Sequence, residues 1–338
     1  MRRVWITRAG GPEVLTVREE ADPVPGEGEV RVRVRAAGVN FADVLARQGL
    51  YPDGPGIPCV IGYEVSGVVD AVGTGCDPEW RNQPVVAITR FGGYSDAVVV
   101  PESNVFPKPD TMTFEEAAAI PVTYLTAYQL VVVMGGLQAT ESILIHNAGG
   151  GVGMAALDIA RHIGARIYGT ASSYKHGFLR DRGVDYVIDY RNVDWFTELQ
   201  RATENRGVEL IIDPLGPQSW KKSFRALRST GRLGMFGISS ITESGLFGKL
   251  KLLKLFLQMP FFHASNFLDA NRGVFGVNMG HLWHEGPKIA LWMETILKGY
   301  ESGWVRPHID SHFRFSSAAK AHEHLEKRKN IGKVILIP

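Results

Sequence analysis

One short segment has the residue types and the spacing needed to hold a dinucleotide. In "ILIHNAGGGVGMAALDIARHIGA" (143–165), an apolar run leads into a glycine-rich turn that opens a helical pattern. Gly150 would let the backbone approach a pyrophosphate, and Gly153 would let the helix pack close to its strand. The helix N-terminus would add free N–H groups and partial positive charge. The alternative is an ordinary glycine-rich turn, but the strand–turn–helix context favours a dinucleotide site. The predicted contacts are Ala148, Gly150, Gly151, Val152 and Gly153.

The end of the next predicted strand indicates which dinucleotide is bound. An NAD site needs an acidic residue there for the ribose hydroxyls, but "YGTASSYKHGF" (168–178) contains no Asp or Glu. It offers hydroxyls and one cation, which suit a 2′-phosphate. These are Thr170, Ser172, Ser173 and Lys175. The segment therefore predicts NADP(H), the alternative for Lys175 being a solvated surface lysine.

A carboxylate lies within an apolar segment near the N-terminus. The run "IPCVIGYEVSGVVDAVGTG" (57–75) is typical of a buried strand with glycine corners, and Glu64 follows Tyr63 in its middle. A buried charge is costly unless it is paired or used. We therefore expect Glu64 to have a partner elsewhere in the chain.

The surrounding pattern predicts the elements that position these residues. In "EVRVRVRAAGV" (29–39) valines alternate with arginines, which predicts a half-buried strand. The segment 39–49 predicts a short helix that Asn40 caps and Gly49 ends. From residue 141 onward, short apolar strands alternate with helical stretches, which predicts a parallel sheet covered on both faces. The predicted strands are 143–146, 166–170, 186–190, 208–213 and 232–238.

Composition limits the class of protein. A chain of 338 residues, of which 45% are hydrophobic, is long enough for two domains. The 37 Lys and Arg nearly balance the 35 Asp and Glu, so we expect no nucleic-acid partner. The two cysteines, Cys59 and Cys76, cannot form a disulfide framework. The first residues lack the apolar core of a signal peptide, and the apolar stretch 117–136 is interrupted by polar residues, so we expect a cytoplasmic protein.

A basic amphipathic segment allows a second interpretation. In "GLFGKLKLLKLFLQMPFF" (245–262), a helical arrangement would put Lys251, Lys254 and Gln258 on one narrow face with apolar residues around it. Such a helix can lie on a membrane or line a lipid-accepting groove. The alternative is a helix packed beside a cleft or at a dimer contact.

The whole chain resembles the medium-chain dehydrogenase/reductase superfamily. The segments that carry the resemblance are "GVNFADVLARQGLYP" (38–52), "GYEVSGVV" (62–69), "FEEAAAIPVTYLTAY" (114–128), "AGGGVGMAALDIA" (148–160) and "NIGKVILIP" (330–338). Within the superfamily the chain is similar to quinone oxidoreductases. The motifs "GTAS", "DPLG" (213–216) and "RPHIDSHFRF" are most similar to the vesicle amine transport protein branch, which is associated with membranes and lipid handling.

The resemblance implies an α/β fold in which a GroES-like β-barrel catalytic domain accompanies a Rossmann doubly wound parallel sheet. It assigns residues 1–121 to the N-terminal part of the barrel domain and 122–270 to the NADP-binding domain. Residues 271–338 would supply an edge strand of the sheet and complete the barrel. The resemblance also implies a cleft between the domains and a homodimer joined through the edge strand 273–278.

The resemblance further implies that the chain lacks a catalytic zinc. Asn40, Tyr63 and Val122 stand where zinc-dependent relatives have Cys, His and Cys, and none of these side chains is a customary zinc ligand. Glu64 then corresponds to the glutamate of a Gly-His-Glu element. We expect its carboxylate to pair with Lys333 or a nearby arginine.

Without a metal, the implied chemistry is hydride transfer from NADPH to a conjugated acceptor, a quinone or an α,β-unsaturated carbonyl. Hydrogen bonds from Asn40, Tyr51 or Tyr63 would stabilise the charge that develops on the acceptor. The alternatives are a helix cap for Asn40 and a packed loop aromatic for Tyr51. The alternative function is an NADP-binding, lipid- or membrane-associated protein with vestigial reductase activity.

The resemblance also adds cofactor contacts by matching position. It places one threonine beside the nicotinamide ring, a tyrosine at the 2′-phosphate, two backbone segments at the carboxamide and the C-terminal segment at the pyrophosphate. These residues are Thr126, Tyr190, Phe236, Phe275, Asn330 and Lys333.

Overall fold

The strands and helices follow the predicted order. The computed structural model describes residues 1–239, 253–255 and 257–338. Its strands are β1 Arg2–Ile6, β2 Leu15–Glu19, β3 Glu29–Val39, β4 Cys59–Val60, β5 Glu64–Val72, β6 Pro84–Ile88, β7 Ala97–Pro101, β8 Val105–Pro107, β9 Ser142–Ile145, β10 Arg166–Ala171, β11 Tyr186–Asp189, β12 Val208–Asp213, β13 Leu227–Met235, β14 Gly273–Gly276, β15 Ile309–Arg314 and β16 Lys333–Ile337. Its helices are α1 Phe41–Arg47, α2 Phe114–Ala118, α3 Pro121–Tyr128, α4 Gly151–Ile163, α5 His176–Asp181, α6 Trp195–Ala202, α7 Pro217–Ala226, α8 Ala264–Ala270, α9 Gly286–Glu301 and α10 Ala318–Glu326.

The first large sheet is built mainly from the N-terminal third and closed by the C-terminus. Among the described residues its order is β15-β16-β3-β5-β6-β8, with β7 also paired to β3. The last strand, β16, pairs antiparallel with β3, where Ile335 lies opposite Gly38. The two ends of the chain therefore form one sheet, and the C-terminal strand brings its first residue, Lys333, to the end of β3.

The alternation of valine and arginine gives β3 one buried face and one outer face, as predicted. Its arginines lie on the outer face, where Arg31 Nε donates to Asp70 Oδ1 at 2.7 Å and Arg33 Nη2 donates to Asp70 Oδ2 at 2.6 Å. The valines of the opposite face are buried in the core: Val30, Val32 and Val34. The period of two thus fixes which face of the strand is buried.

The second large sheet is parallel throughout its described strands. Its order is β11-β10-β9-β12-β13-β14, and every neighbouring pair runs in the same direction. The order reverses between β9 and β12, the position at which sheets of this kind bind ligands beyond the carboxyl ends of their strands. The predicted doubly wound parallel sheet is confirmed, and the glycine turn after β9 lies at the reversal.

Among the predicted strands of the parallel sheet, β13 differs most from its predicted bounds. β13 begins at Leu227 and not at residue 232, because Leu227 pairs with Val208 before a register shift leads into the apolar half of the strand. The intervening Arg228, Ser229 and Thr230 are exposed, so an apolar pattern could not reveal them.

Most of the apolar stretch 117–136 is buried, although Val133 and Met134 near its end are 46% and 45% exposed. It forms α2, α3 and one π-helical turn, Gln129–Val133, and its side chains Ile120, Leu125 and Leu130 are at most 2% exposed. Within the part of the chain that the structure describes, none of the helices combines the length and apolar character that crossing a membrane requires.

Half of the predicted amphipathic helix 245–262, including Lys251, lies outside the described residues. Residues 253–255 and 257 are helical. Leu255 is buried, whereas Leu253 and Leu257 are 56% and 78% exposed. Phe262 packs on α7 with ring centroids 5.2 Å from those of Phe224.

Candidate cofactor and substrate cleft

A cavity of about 630 Å³ lies between the two large sheets. Strand β3, helix α1 and the loops after them form one wall, and the carboxyl ends of the parallel strands form the other. Of the predicted site residues, those that line it are Asn40, Tyr51, Tyr63, Thr126, Gly150, Gly151, Val152, Gly153, Thr170, Tyr190, Phe236, Asn330 and Lys333. The structure therefore brings the predicted cofactor loop and the predicted polar side chains into a single cavity.

The glycine turn has the close backbone approaches that its sequence predicts. A Cβ on Gly153 would lie 2.4 Å from the Asn147 carbonyl oxygen and 2.8 Å from the Ala148 Cα. A Cβ on Gly150 would lie 2.6 Å from Asn147 Nδ2. Gly153 thus excludes a side chain because the atoms it would meet are backbone, whereas at Gly150 the Asn147 amide would have to move. The N-terminus of α4 opens towards the cavity beside them. Ala148 is fully buried behind the turn.

The C-terminal segment closes over this turn. The Gly332 N–H donates to the Gly149 carbonyl oxygen at 2.9 Å, and Gly150 and Gly332 form an isolated parallel bridge. Asn330 Nδ2 donates to the Gly332 carbonyl oxygen at 2.8 Å. Asn330 therefore lies beside the glycine turn, and its contact with a pyrophosphate stays a prediction.

Tyr190 and Arg328 lie together at the far end of the cavity. Burial opposes ionisation of the Tyr190 phenol, but hydrogen bonds with Ser172, Arg191 and Arg328 outweigh it, so the pKa of Tyr190 is below its usual value. A phenol surrounded by guanidinium groups is suited to an anion such as a 2′-phosphate. The sequence reasoning missed Arg328, since three basic residues are adjacent there and only the backbone decides which of them faces the cavity.

Lys175 lies in a different environment from the one predicted. Its side chain is buried, and its ammonium donates to the Asn330 carbonyl oxygen at 2.5 Å. It is not among the residues that line the cavity, and burial lowers the pKa of Lys175 to about 8. The role of Lys175 at a 2′-phosphate stays a prediction, whereas the alternative of a solvated surface lysine is wrong, since the residue is 4% exposed. Ser173 is exposed at the start of the same turn.

The partner of Glu64 is Lys333, as expected. The Lys333 ammonium forms an ion pair with Glu64 Oε1, and Glu64 is fully buried while Lys333 is 4% exposed. Glu64 Oε2 accepts a hydrogen bond from the Val122 N–H at 2.8 Å. Both carboxylate oxygens thus have partners, and these contacts offset the free-energy cost of burying the charge.

The same pair fixes the orientation of Asn40. Asn40 Nδ2 donates to Glu64 Oε1 at 2.8 Å, and Lys333 Nζ donates to Asn40 Oδ1 at 2.6 Å. Asn40 is also the N-cap residue of α1, where its backbone N–H donates to Asp43 Oδ2 at 2.7 Å. Its amide therefore retains one N–H for a molecule in the cavity.

Two tyrosines of the barrel wall meet in the cavity. The rings of Tyr51 and Tyr63 are edge to face with centroids 6.2 Å apart. The Tyr63 hydroxyl is buried and has no hydrogen-bond partner among the described residues. Burial raises the pKa of Tyr51 to about 12 and raises the pKa of Tyr63 well above its usual value. Both phenols therefore remain protonated donors at neutral pH.

Thr126 and Phe275, two residues predicted to lie at the nicotinamide, contact other parts of the chain in the structure. The Thr126 hydroxyl donates to the Val122 carbonyl oxygen at 2.6 Å, so it is already used within α3. The cavity does not reach Phe275, because its ring packs on Gly234, where a Cβ would lie 2.7 Å from the Phe275 Cζ. The next residues of that segment, Val277 and Asn278, line the cavity instead.

Several lining residues were not predicted. His146 and Trp195, whose rings lie 4.5 Å apart, line the cavity near Tyr190. Apolar side chains line the end near Tyr51 and Tyr63: Leu45, Ile88, Met279 and Trp283. These residues come from distant parts of the chain and carry no motif, so only the three-dimensional packing identifies them.

The positions of the customary zinc ligands, Asn40, Tyr63 and Val122, all line the cavity. Within residues 1–239, 253–255 and 257–338, no three His, Cys, Asp or Glu side chains are grouped so that they could hold one metal ion. The side chains at these three positions are an amide, a phenol and an apolar valine.

Comparison with known proteins gives consistent matches over the whole chain. The family described as Alcohol dehydrogenase GroES-like domain matches residues 26–110, and the family described as Zinc-binding dehydrogenase matches residues 182–336. The human Synaptic vesicle membrane protein VAT-1 homolog is 36% identical, over 100% of this chain and 86% of the relative. Human Quinone oxidoreductase is 29% identical, over 100% of this chain and 98% of the relative.

Solved structures agree with these matches. The crystal structure of Escherichia coli quinone oxidoreductase complexed with NADPH has a TM-score of 0.88 and 27% identity, with 100% of both chains covered. The predicted GroES-like and Rossmann architecture and the predicted similarity to quinone oxidoreductases and the vesicle protein branch are thereby confirmed. The chain belongs to the medium-chain dehydrogenase/reductase family.

Proposed function

We propose that the chain is an NADPH-dependent, zinc-independent oxidoreductase that transfers hydride to quinones or α,β-unsaturated carbonyls. The observation that carries the proposal is the Tyr63 hydroxyl, which is buried and unpaired among the described residues in a cavity that also contains the glycine turn. A buried donor without a partner is costly. A carbonyl oxygen of a bound acceptor would satisfy it.

The residues present fit NADPH. Gly150 and Gly153 leave the space that a pyrophosphate needs beside the N-terminus of α4. Tyr190 and Arg328 offer hydrogen bonds and positive charge for a 2′-phosphate at the far end. NADPH complexes among the similar solved structures support the same cofactor.

The chain's own residues then bind and polarise the acceptor. Bound NADPH supplies the hydride. Asn40, Tyr51 and Tyr63 all line the cavity, and there the remaining N–H of Asn40 and the two hydroxyls would stabilise negative charge as it develops on the acceptor oxygen. Since buried contacts with Glu64 and Lys333 hold the Asn40 amide, this donor needs little reorganisation during the reaction. In a quinone or enone the charge spreads over the conjugated system, which makes neutral donors sufficient.

A second candidate function is supported by the surface. Leu257 and Phe261 are 78% and 86% exposed, and one relative is named a synaptic vesicle membrane protein. Exposed apolar side chains of this size favour contact with a lipid surface or another protein. In this alternative the chain binds NADPH while membrane association is its main role.

The test is NADPH oxidation with a panel of quinones, enones and 2-alkenals. We expect turnover with at least one acceptor class, and we expect Tyr63→Phe to lower kcat by about tenfold to a hundredfold, since it removes one charge-stabilising donor. Tyr300→Phe is the matched control, because the Tyr300 hydroxyl donates to Glu116 outside the cavity. Absence of turnover with every acceptor, together with sedimentation of the protein with phosphatidylserine vesicles, would favour the second function.

A further inference from the structure

A tight turn carries Tyr51 to the edge of the cleft. The sequence Tyr51-Pro52-Asp53-Gly54 is a turn in which the Gly54 N–H donates to the Tyr51 carbonyl oxygen at 3.2 Å. Proline at the second position and glycine at the fourth are typical of a type I turn. Asp53 lies at the corner of this turn, so any contact that holds Asp53 also limits the movement of Tyr51.

A second turn faces it from the other side of the cleft. Asn278 caps the 3₁₀ helix Met279–His281, and its Oδ1 accepts a hydrogen bond from the Gly280 N–H at 3.0 Å. Asn278, Met279 and Gly280 line the cavity. A Cβ on Gly280 would lie 3.4 Å from the Tyr51 hydroxyl oxygen, so the phenol rests directly against this turn.

Asp53 joins the two turns with both carboxylate oxygens. Asn278 Nδ2 donates to Asp53 Oδ2 at 3.0 Å, and His281 Nε2 lies 2.8 Å from Asp53 Oδ1. The hydrogen bond with His281 holds the pKa of Asp53 below its usual value. These residues are more than 220 positions apart in sequence, so the contact spans the cleft and is not part of either turn.

The contact lies at the edge of the cavity, where it meets solvent. The Asp53 side chain is 32% exposed and the His281 side chain is 65% exposed, while Tyr51 and Gly280 beneath them line the cavity. Exposed pairs of this kind are weak. The contact can therefore open repeatedly and is not a permanent part of the fold.

We propose that Asp53, Asn278 and His281 form a clasp that closes the mouth of the cavity and positions the Tyr51 phenol for the acceptor. Its closure covers the apolar end of the cavity, and its opening admits the acceptor and releases the product. Asp53, Asn278 and His281 are positioning residues, since they act through Tyr51 and the two turns. The role of Tyr51 rests on the proposed function, whereas closure of the mouth does not.

The first measurement is a double-mutant cycle on acceptor reduction. We expect Asp53→Ala to lower kcat/KM for the acceptor by about two- to fivefold, mainly through KM, because a weak exposed contact is lost. The double variant Asp53→Ala/His281→Ala should be no worse than Asp53→Ala alone, and Asp53→Glu should restore part of the loss. The Kd for NADPH should stay unchanged. Glu204→Ala, which breaks an exposed pair with Arg206, is the control.

The second measurement needs no turnover. Trp283 lines the cavity beside the clasp, and its fluorescence is obtained as the difference between each protein and its Trp283→Phe version. With NADPH bound, acrylamide should quench Trp283 more strongly in Asp53→Ala than in wild type or Glu204→Ala. Unchanged quenching in both Asp53→Ala and His281→Ala, or additive effects in the kinetic cycle, would overturn the clasp. Increased quenching without NADPH oxidation would retain the clasp and refute only the proposed function.

Discussion

At the scale of single residues, the buried charge of Glu64 determines how its neighbours in the cleft are held. Glu64 is fully buried, and it accepts hydrogen bonds from Asn40 and Val122 in addition to its ion pair with Lys333. A lone charge in that position would be expensive. The carboxylate therefore serves to hold Asn40 and the start of α3 in place, a positioning role and not a proton-transfer role.

Replacement of Glu64 tests this role. In Glu64→Gln the amide oxygen can still accept a hydrogen bond from Asn40. The Lys333 ammonium, however, loses its counter-charge, and the Val122 N–H loses its acceptor if the new amide NH₂ group lies opposite it. Breaking a buried pair costs about 3–5 kcal/mol, so we expect the free energy of unfolding in urea to fall by about that amount. Turnover per folded molecule should persist.

The control for Glu64→Gln is Glu204→Gln, because Glu204 forms an exposed pair with Arg206. Surface pairs contribute about 0–1 kcal/mol, so the control should unfold at nearly the wild-type urea concentration. A Glu64→Gln protein of wild-type stability, or one that folds normally but has lost turnover, would contradict the positioning role.

The sequence predicted that Glu64 pairs with Lys333 or a nearby arginine, but it did not predict that the Tyr63 hydroxyl has no hydrogen-bond partner among the described residues. The first follows from a general rule, since a charge in an apolar strand needs a counter-charge. The second depends on the rotamer of one side chain and on what its neighbours leave free. Such details are set by packing and are not encoded in local residue patterns.

At the scale of elements, the parallel sheet was predicted closely and the C-terminal loop was not. Strand–helix alternation and the glycine turn are local signals, so β9, α4 and β10 lie where the sequence places them. The loop after α10 turns through Arg328, whose φ of 54° is left-handed. No residue pattern predicts this turn, and the turn directs the Arg328 side chain towards the cavity.

Cofactor selectivity should follow Arg328 and not Lys175. Arg328→Ala removes a guanidinium beside Tyr190, and hydrogen bonds to charged groups contribute about 1.5–3 kcal/mol, so the KM for NADPH should rise about tenfold or more. The KM for NADH should hardly change, since it has no 2′-phosphate.

Lys175→Met is the comparison for this prediction. Its ammonium is buried and bonded to the Asn330 carbonyl, so we expect a smaller effect on the ratio of the two KM values. Steady-state kinetics with both cofactors measures the ratio. If Arg328→Ala raised the KM values for NADPH and NADH equally, Arg328 would not bind the 2′-phosphate. A larger change of the KM ratio in Lys175→Met than in Arg328→Ala would assign the 2′-phosphate to Lys175.

At the scale of the whole molecule, the parallel sheet has an open side. β14 is the last strand in the described sheet and pairs only with β13. Unpaired strand edges are usually protected or paired with another chain. The homodimer and the domain boundaries at 121/122 and 270/271 remain predictions.

We expect light scattering at micromolar concentration to give about twice the chain mass of 37.2 kDa. Gly276→Asp should shift the protein towards monomer, because symmetric pairing of two edges would bring like charges together. The change is tolerated within one chain, since a Cβ at Gly276 has its nearest neighbour 4.0 Å away.

Gly177→Asp is the matched control for the dimer, because a Cβ at Gly177 has no neighbour within 4 Å and the residue lies in α5, away from the edge strand. It should keep the wild-type mass. A monomeric wild-type protein would refute pairing through β14.

The pairing of β16 with β3 also has a consequence for synthesis of the protein. Glu64 leaves the ribosome 269 positions before Lys333, so the nascent chain carries this carboxylate without its counter-charge while the entire cofactor-binding region is translated. The first sheet cannot be completed until the last residues have been released. Premature termination before residue 333 would leave an apolar groove along β3 and an unpaired negative charge at its end. Chaperones and proteases act on chains that expose such features of incomplete folding.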